Sequence, residues 1–264
     1  MSEPMPENTS QAPLVEQPGW DAMLEDLIGL NIRGLRTIGT LLAAPKQVFA
    51  AAKAKDWMGR KYTPSLRLFV SLLMVVSLLQ AFWAGPNSLL SRIQTEAIQA
   101  QINANAPAEL QPFINSNDIW QTMLVGLPIS TLIAMLVASL LLRVWGPEAK
   151  TVTRVRYYFL AIIPGWICSF ALSMTLDSIP EQAALAILPN LLFIVLLVDG
   201  STAWRGNPGN YSGFARIWRA VFFGVVNFAV YIMANIILSG YAGFIVGNEA
   251  VAAAEAAGVV LSPS

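Results

Sequence analysis

Four of the five long apolar stretches in this chain contain no Lys, Arg, Asp or Glu, and the other holds only Arg67, in its first turn. Each is near the roughly 20 residues an α-helix needs to cross a hydrocarbon core about 30 Å thick. A backbone surrounded by lipid has no water to satisfy its amides, so runs of this length are read as helices. The expected spans are about 66–84, 120–142, 157–176, 183–198 and 220–246. Thr63 is expected to cap the first, with Pro64 at its first helical position. The last is longer than one crossing requires, which predicts tilt or a break near Ser239-Gly240. The composition agrees with this class: charged residues are 12% of the chain, against roughly 25% in a soluble domain.

The charges fix a direction. Of 16 Lys and Arg residues, all but Arg92 fall in segments that these spans place on one side, the side retained in the cytoplasm. The loop 143–156 carries Arg143, Lys150, Arg154 and Arg156, and the loop 199–219 carries Arg205, Arg216 and Arg219. The opposite segments are acidic, with Glu96, Glu109, Asp118, Asp177, Glu181, Glu249 and Glu255. The amino terminus is therefore expected in the cytoplasm and the carboxyl terminus outside. Trp57, Trp83, Trp120 and Trp145 adjoin the expected boundaries, as an interfacial aromatic belt requires.

Residues 1–20 are acidic and Pro-rich, without the basic and apolar regions of a signal peptide, and are expected to form a disordered cytoplasmic tail. From Asp21, apolar residues Leu24, Leu27, Ile28, Leu35, Ile38 and Leu42 recur at helical spacing. Pro45 interrupts the pattern, and a second short helix sets Val48, Phe49 and Ala52 against Lys46, Lys53 and Lys55. Residues 21–62 are thus expected to lie in the headgroup plane, apolar face down. Residues 63–247 would form the five-helix transmembrane domain and 248–264 a flexible external tail. The fold class expected is all-α, a polytopic bundle of five transmembrane helices with an amphipathic interfacial lead.

Transmembrane helices associate where small residues let backbones approach. Gly126, Ser130, Ala134 and Ala138 repeat every four residues in the second span, and Ala161, Gly165, Ser169 and Ser173 do so in the third. Ser239, Gly243 and Gly247 end the fifth. These predict seams of one bundle, with a homodimer seam at Gly243 and Gly247 as the alternative. Pro128, Pro164 and Pro189 would bend the second, third and fourth spans. Asn190, Asn227 and Asn235 are the most polar groups expected at depth, either bonding within the bundle or lining a polar pathway. Asp199 is expected as a terminal residue at the cytoplasmic surface, paired with Arg205 or Arg219.

Chemistry has little to use. The chain has no His and one Cys, Cys168, within an apolar run, so a thiolate or imidazole metal cluster is excluded and no cofactor is expected. No P-loop, GxSxG elbow or HExxH occurs, and no enzymatic activity is expected. A net charge of zero gives nucleic acid binding no support. The expected partners are anionic lipid headgroups, met by Lys53, Lys55, Arg60, Lys61, Arg67, Arg216 and Arg219, and other membrane proteins.

The phrase RKYTPSLRLFVSLL, with Arg60, Tyr62, Pro64 and Arg67, resembles the lead into the first span of a family of uncharacterised bacterial membrane proteins. The segments LLAAPKQVFAAAKAKDWMGRKY, VRYYFLAIIPGW and YSGFARIWRAVFFGVVNF are similar to that family's lead and later spans. Residues 38–240 are covered. The resemblance implies a bacterial inner-membrane location. Members often carry an amino-terminal Cys-pair zinc ribbon, but this chain lacks those cysteines, so no metal is implied. The five-span plan is also similar to that of the Yip/Yif trafficking proteins, which implies recruitment of membrane partners without catalysis. A transporter of a small solute or lipid, with a pathway near the three amides, and an accessory subunit of a larger complex are the rival readings.

Overall fold

The computed structural model describes residues 32–54, 57, 61–146, 148–176 and 178–259, with the backbone alone at 83, 84 and 189. The expected tail 1–20, the first part of the amphipathic lead, and Lys55, Arg60 and Asp177 lie outside the described residues.

Among the described residues the chain is helical throughout, with no strand. Two short helices, α1 (Ile32–Ala43) and α2 (Pro45–Ala51), precede α3 (Ser65–Leu79), which ends in a π turn at Gln80–Ala84. Then come α4 (Leu89–Asn105), α5 (Ser116–Leu141), α6 (Thr151–Leu176), α7 (Glu181–Gly206) and α8 (Gly213–Ala256). Helices α3, α5, α6 and α8 are long and apolar enough to cross a membrane. Helix α7 makes a fifth span if its halves, Glu181–Leu188 and Asn190–Gly206, bent 43° apart, count as one crossing. The bend falls at Pro189, whose missing N–H breaks the helical ladder. Pro128 and Pro164, by contrast, sit inside unbroken α5 and α6.

The helices are inside out compared with a soluble bundle. In α5 the buried face is Gly126, Ser130, Thr131, Ala134, Ala138 and Ser139, while Val125, Ile129, Ile133, Val137 and Leu141 are exposed. Phe193, Leu197, Val221, Val225, Ile236 and Phe244 continue the exposed apolar surface on α7 and α8. Water would not tolerate so large an apolar exterior, whereas lipid favours it and lets small residues form the contacts. Length, composition and this arrangement fit a multi-pass membrane protein.

The most extensive pairing is α5 with α8, followed by α6 with α7. A Cβ on Gly126 would lie 2.8 Å from the Tyr241 ring and 2.9 Å from Leu238, so glycine is what lets the pair close. The second stripe packs only in part: Ala161 and Gly165 are buried, but Ser169 is exposed. Helix α8 does not break at Ser239-Gly240. It runs unbroken for 44 residues, about 66 Å at 1.5 Å per residue, twice the hydrocarbon thickness. Its buried residues, Phe223, Asn227, Val230, Ala234, Leu238, Ala242, Val246, Ala250 and Ala254, keep one face to the end. Beyond the bundle, Ala242, Val246 and Ala250 pack with Ile98 and Ile102 of α4. Part of the segment expected as an external tail is therefore helix, and the expected loop 85–118 contains α4.

Nor is the apolar face of α2 spent on lipid. Val48, Phe49, Ala51 and Ala52 are fully buried, and the Phe49 ring stacks on Tyr157 at 5.4 Å and meets Trp145 at 6.1 Å. A Cβ on Gly206 would lie 2.8 Å from the same ring. Helix α1 is tied down by Thr37, whose Oγ1 donates to the Arg33 carbonyl and accepts from Thr63 N–H at 3.0 Å. Thr63 thus gives α1 a backbone donor, and Pro64 occupies the N-cap of α3. Ile32, Leu35 and Leu42 of α1 remain exposed.

Replacing Gly126 with Leu wedges α5 from α8. The expected cost is about 1–3 kcal/mol, the usual range for overpacking, read as a lower unfolding midpoint in detergent, while Val125→Leu on the exposed side leaves the midpoint unchanged.

Candidate functional site

Two features concentrate polar chemistry: a buried clasp across α6, α7 and α8, and the end of the bundle where α5 and α7 finish and α8 starts.

The clasp is built on Asp199. DGSTAWRG reads as a helix stop, yet α7 continues through it to Gly206. Within it, Ser201 and Thr202 donate their hydroxyls back to the Val198 carbonyl, both at 2.8 Å, as Ser and Thr do when held inside a helix. Asp199 is consequently two turns inside and fully buried; it pairs with neither Arg205 nor Arg219. Asn227 of α8 donates its amide to Asp199 Oδ2 at 2.6 Å, and Tyr158 of α6 donates its hydroxyl to Asn227 Oδ1 at 3.0 Å. The carboxylate also meets the Gly165 backbone, where any Cβ would occupy its place. Gly165 is thus required by the carboxylate rather than by a helix seam alone. Tyr231 borders the same group.

The three amides expected at depth do not meet. Asn227 joins the clasp, whereas Asn190 donates to the Ala186 carbonyl at 3.4 Å and Asn235 to the Tyr231 carbonyl at 2.8 Å, both on the exposed surface. Each of these two satisfies itself on its own helix. No pathway connects Asn190, Asn227 and Asn235 through hydrogen bonds of the described side chains.

At the basic end, arginines are committed to helix termini. The last carbonyls of a helix have no intrahelical donor and carry the negative end of its dipole, so cations are stabilising there. Arg205 donates to the carbonyls of Leu42 at 2.9 Å and Ala43 at 2.7 Å, closing α1. Arg156 donates to Ala52 and Ala54, both at 2.9 Å, closing α2, and lies over the Trp57 ring. Arg154 reaches the Leu140 carbonyl at the end of α5. Arg216 donates Nε to the Trp204 carbonyl at 2.8 Å and stacks on that indole at 4.4 Å. Lys53 donates to the Pro208 carbonyl at 3.0 Å. None of these roles was apparent from the sequence, where Lys53 and Arg216 read as headgroup contacts, Arg205 as a partner of Asp199, and Arg154 and Arg156 as loop charges.

The loop after α7 is likewise tied by polar contacts. Asn207, at a left-handed φ of 35°, exchanges two hydrogen bonds with the Tyr211 backbone. The Tyr211 hydroxyl would lie 2.6 Å from a Cβ on Gly146, whose φ of 110° also favours glycine. Arg219 stacks on Tyr211 at 3.8 Å and on Trp218 at 4.6 Å, and its Nε and Nη1 are buried without a hydrogen-bond acceptor. Of the other expected headgroup contacts, Lys61 is exposed beside the Tyr62 ring, and Arg67 is half-buried in the first turn of α3. Arg92 forms an ion pair with Glu181 at 3.0 Å at the opposite end. No group of three or more His, Cys, Asp or Glu residues able to hold a metal occurs among the described residues.

Compared with protein-family models, curated proteins and solved structures, the chain matches none.

The clasp makes a coupled prediction. Gly165→Ala should cost about 1–3 kcal/mol in the native background through overpacking. Asp199→Ala should cost a similar amount by stranding the Asn227 amide. In the double variant the two losses should fall well short of their sum, because removing the carboxylate makes room for the methyl. A thermal-unfolding cycle on the purified protein measures the coupling.

Proposed function

We propose that this chain is a non-catalytic multi-pass protein of a bacterial inner membrane, with its amino terminus in the cytoplasm and its carboxyl terminus in the periplasm. It organises membrane partners, anionic phospholipid among them, through its basic end. The observation that carries this reading is how the arginines of that end are held. Arg154, Arg156, Arg205 and Arg216 are fixed on helix-end carbonyls, and these bonds neutralise none of their charge. A preorganised cationic face loses little side-chain entropy when an anion arrives. The one-sided distribution of Lys and Arg supports the orientation. The likeness to uncharacterised bacterial membrane proteins and to the Yip/Yif plan supports the location and the organising role by analogy. Exposed Ile32, Leu35 and Leu42 leave α1 an apolar face for the interface.

The second reading, a carrier, rests on Asp199 rather than on the three amides. An ionisable residue buried between membrane helices is the usual mark of a coupling ion or proton. Asp199→Asn in proteoliposomes would abolish solute-driven ion movement if this reading held.

Full-length protein purified in mild detergent should retain anionic phospholipid above its share of the membrane extract, together with a reproducible set of membrane proteins. Recovery of neither, by lipid and protein mass spectrometry, overturns the proposal.

A further inference from the structure

Between α5 and α8, a groove of about 630 Å³ opens on the outer surface of the bundle. Its length is lined by Val137, Leu141, Val226, Ala229 and Met233, and its lining also includes Arg143, just past the end of α5, and Arg219, in the second turn of α8. From Arg219 to Met233 is 14 residues of α8, about 21 Å, enough to cover one leaflet of a hydrocarbon core about 30 Å thick. The polarity changes once along this length, from two guanidinium groups to aliphatic side chains. A cation above an apolar slot is complementary to an amphiphile with a negative head and a hydrocarbon tail.

We infer that this groove holds one anionic phospholipid, its phosphate on Arg143 and Arg219 and an acyl chain along α5 and α8. The inference rests on the lipid-binding part of the proposed function and assigns it a place. Three observations favour this occupant. First, Arg219 is sandwiched by Tyr211 and Trp218 and gives no described hydrogen bond to a helix-end carbonyl; its Nε and Nη1 are enclosed by the protein, and Nη2 is the nitrogen not so enclosed. A guanidinium held flat by rings, with one nitrogen left open, is suited to a charge-assisted bond with a phosphate oxygen. Second, Arg143 lines the same groove and is exposed, so its guanidinium is open to a headgroup. Third, Trp218 flanks the head end and is partly exposed, at the level where indoles favour the headgroup boundary. A purely apolar occupant would leave the paired charges unanswered.

The test uses full-length protein in nanodiscs containing equal phosphatidylglycerol and phosphatidylcholine of one chain length, released and weighed by native mass spectrometry. Wild type should retain one phosphatidylglycerol in about tenfold preference over phosphatidylcholine, the order expected for one or two guanidinium–phosphate contacts in a partly screened site. The double variant Arg143→Gln/Arg219→Gln should lose that preference while still retaining a lipid of either kind. Ala229→Trp, which fills the groove from its exposed side, should lower retention of both lipids at least fivefold without altering monodispersity. Equal retention of both lipids by wild type overturns the inference. So does an anionic preference that survives all three substitutions, which would leave lipid binding in place but elsewhere on the basic end. Zwitterionic lipid held as tightly by the double variant as phosphatidylglycerol is by wild type removes the role of the arginines. A dimer that carries no lipid and dissociates on Ala229→Trp shows a second copy in the groove and also overturns it.

Discussion

Every helix that ends near a membrane surface leaves four carbonyls without internal donors, and in this protein the answer is a set of arginines taken from neighbouring segments. Arg205 of α7 closes α1, Arg156 of α6 closes α2, Arg154 of α6 closes α5, and Arg216 of α8 closes the last turns of α7. Each bond joins the end of one element to the start or end of another. The basic end is therefore a lattice of cross-connections, with Phe49, Trp145, Tyr157 and Phe223 packed beneath it. The same arginines that give the sequence its one-sided charge here also set where the helices stop relative to one another.

That double use explains what could be read from residues alone. The α5–α8 seam was legible because Gly126, Ser130, Ala134 and Ala138 recur every four positions, and a helix has one face at that spacing. The long reach of α8 was not: the last span was expected to end near 246 with a flexible tail after it, although Ala250 and Ala254 extend the register of Leu238, Ala242 and Val246. The docking of α2 was not. An amphipathic pattern states that an apolar face exists, and Val48 and Phe49 satisfy it against Tyr157 as well as against lipid. The capping arginines were illegible for a related reason: their acceptors are carbonyls, which every residue supplies, often more than a hundred positions away.

Asp199 shows the limit more sharply. Locally, Asp-Gly-Ser after an apolar run signals an exit from the helix, and propensity gives no hint that the helix goes on. Three partners from elsewhere override it: the Gly165 backbone leaves space, Asn227 supplies a donor, and Tyr158 completes the chain of hydrogen bonds. Of these, the absence of a Cβ at Gly165 is a tertiary requirement that happens to coincide with a small-residue stripe, so the stripe was noticed for the wrong reason.

The clasp and the caps divide the work of fixing the bundle. Dispersion between small residues gives the helices closeness but little preference for one sliding register over another, because a stripe spaced by four residues fits nearly as well one turn along. A carboxylate that must meet one amide, which must meet one hydroxyl, has no such freedom: a slip of about 5.4 Å, one turn, would strand buried polar groups at a cost of about 1–3 kcal/mol each. Asp199, Asn227 and Tyr158 thus specify register across α6, α7 and α8, and the arginines specify it again at the helix ends. Helix α5 lies outside the clasp, and its alignment with α8 rests instead on Gly126 against Tyr241 and Leu238, away from the residues that line the open groove between the two helices.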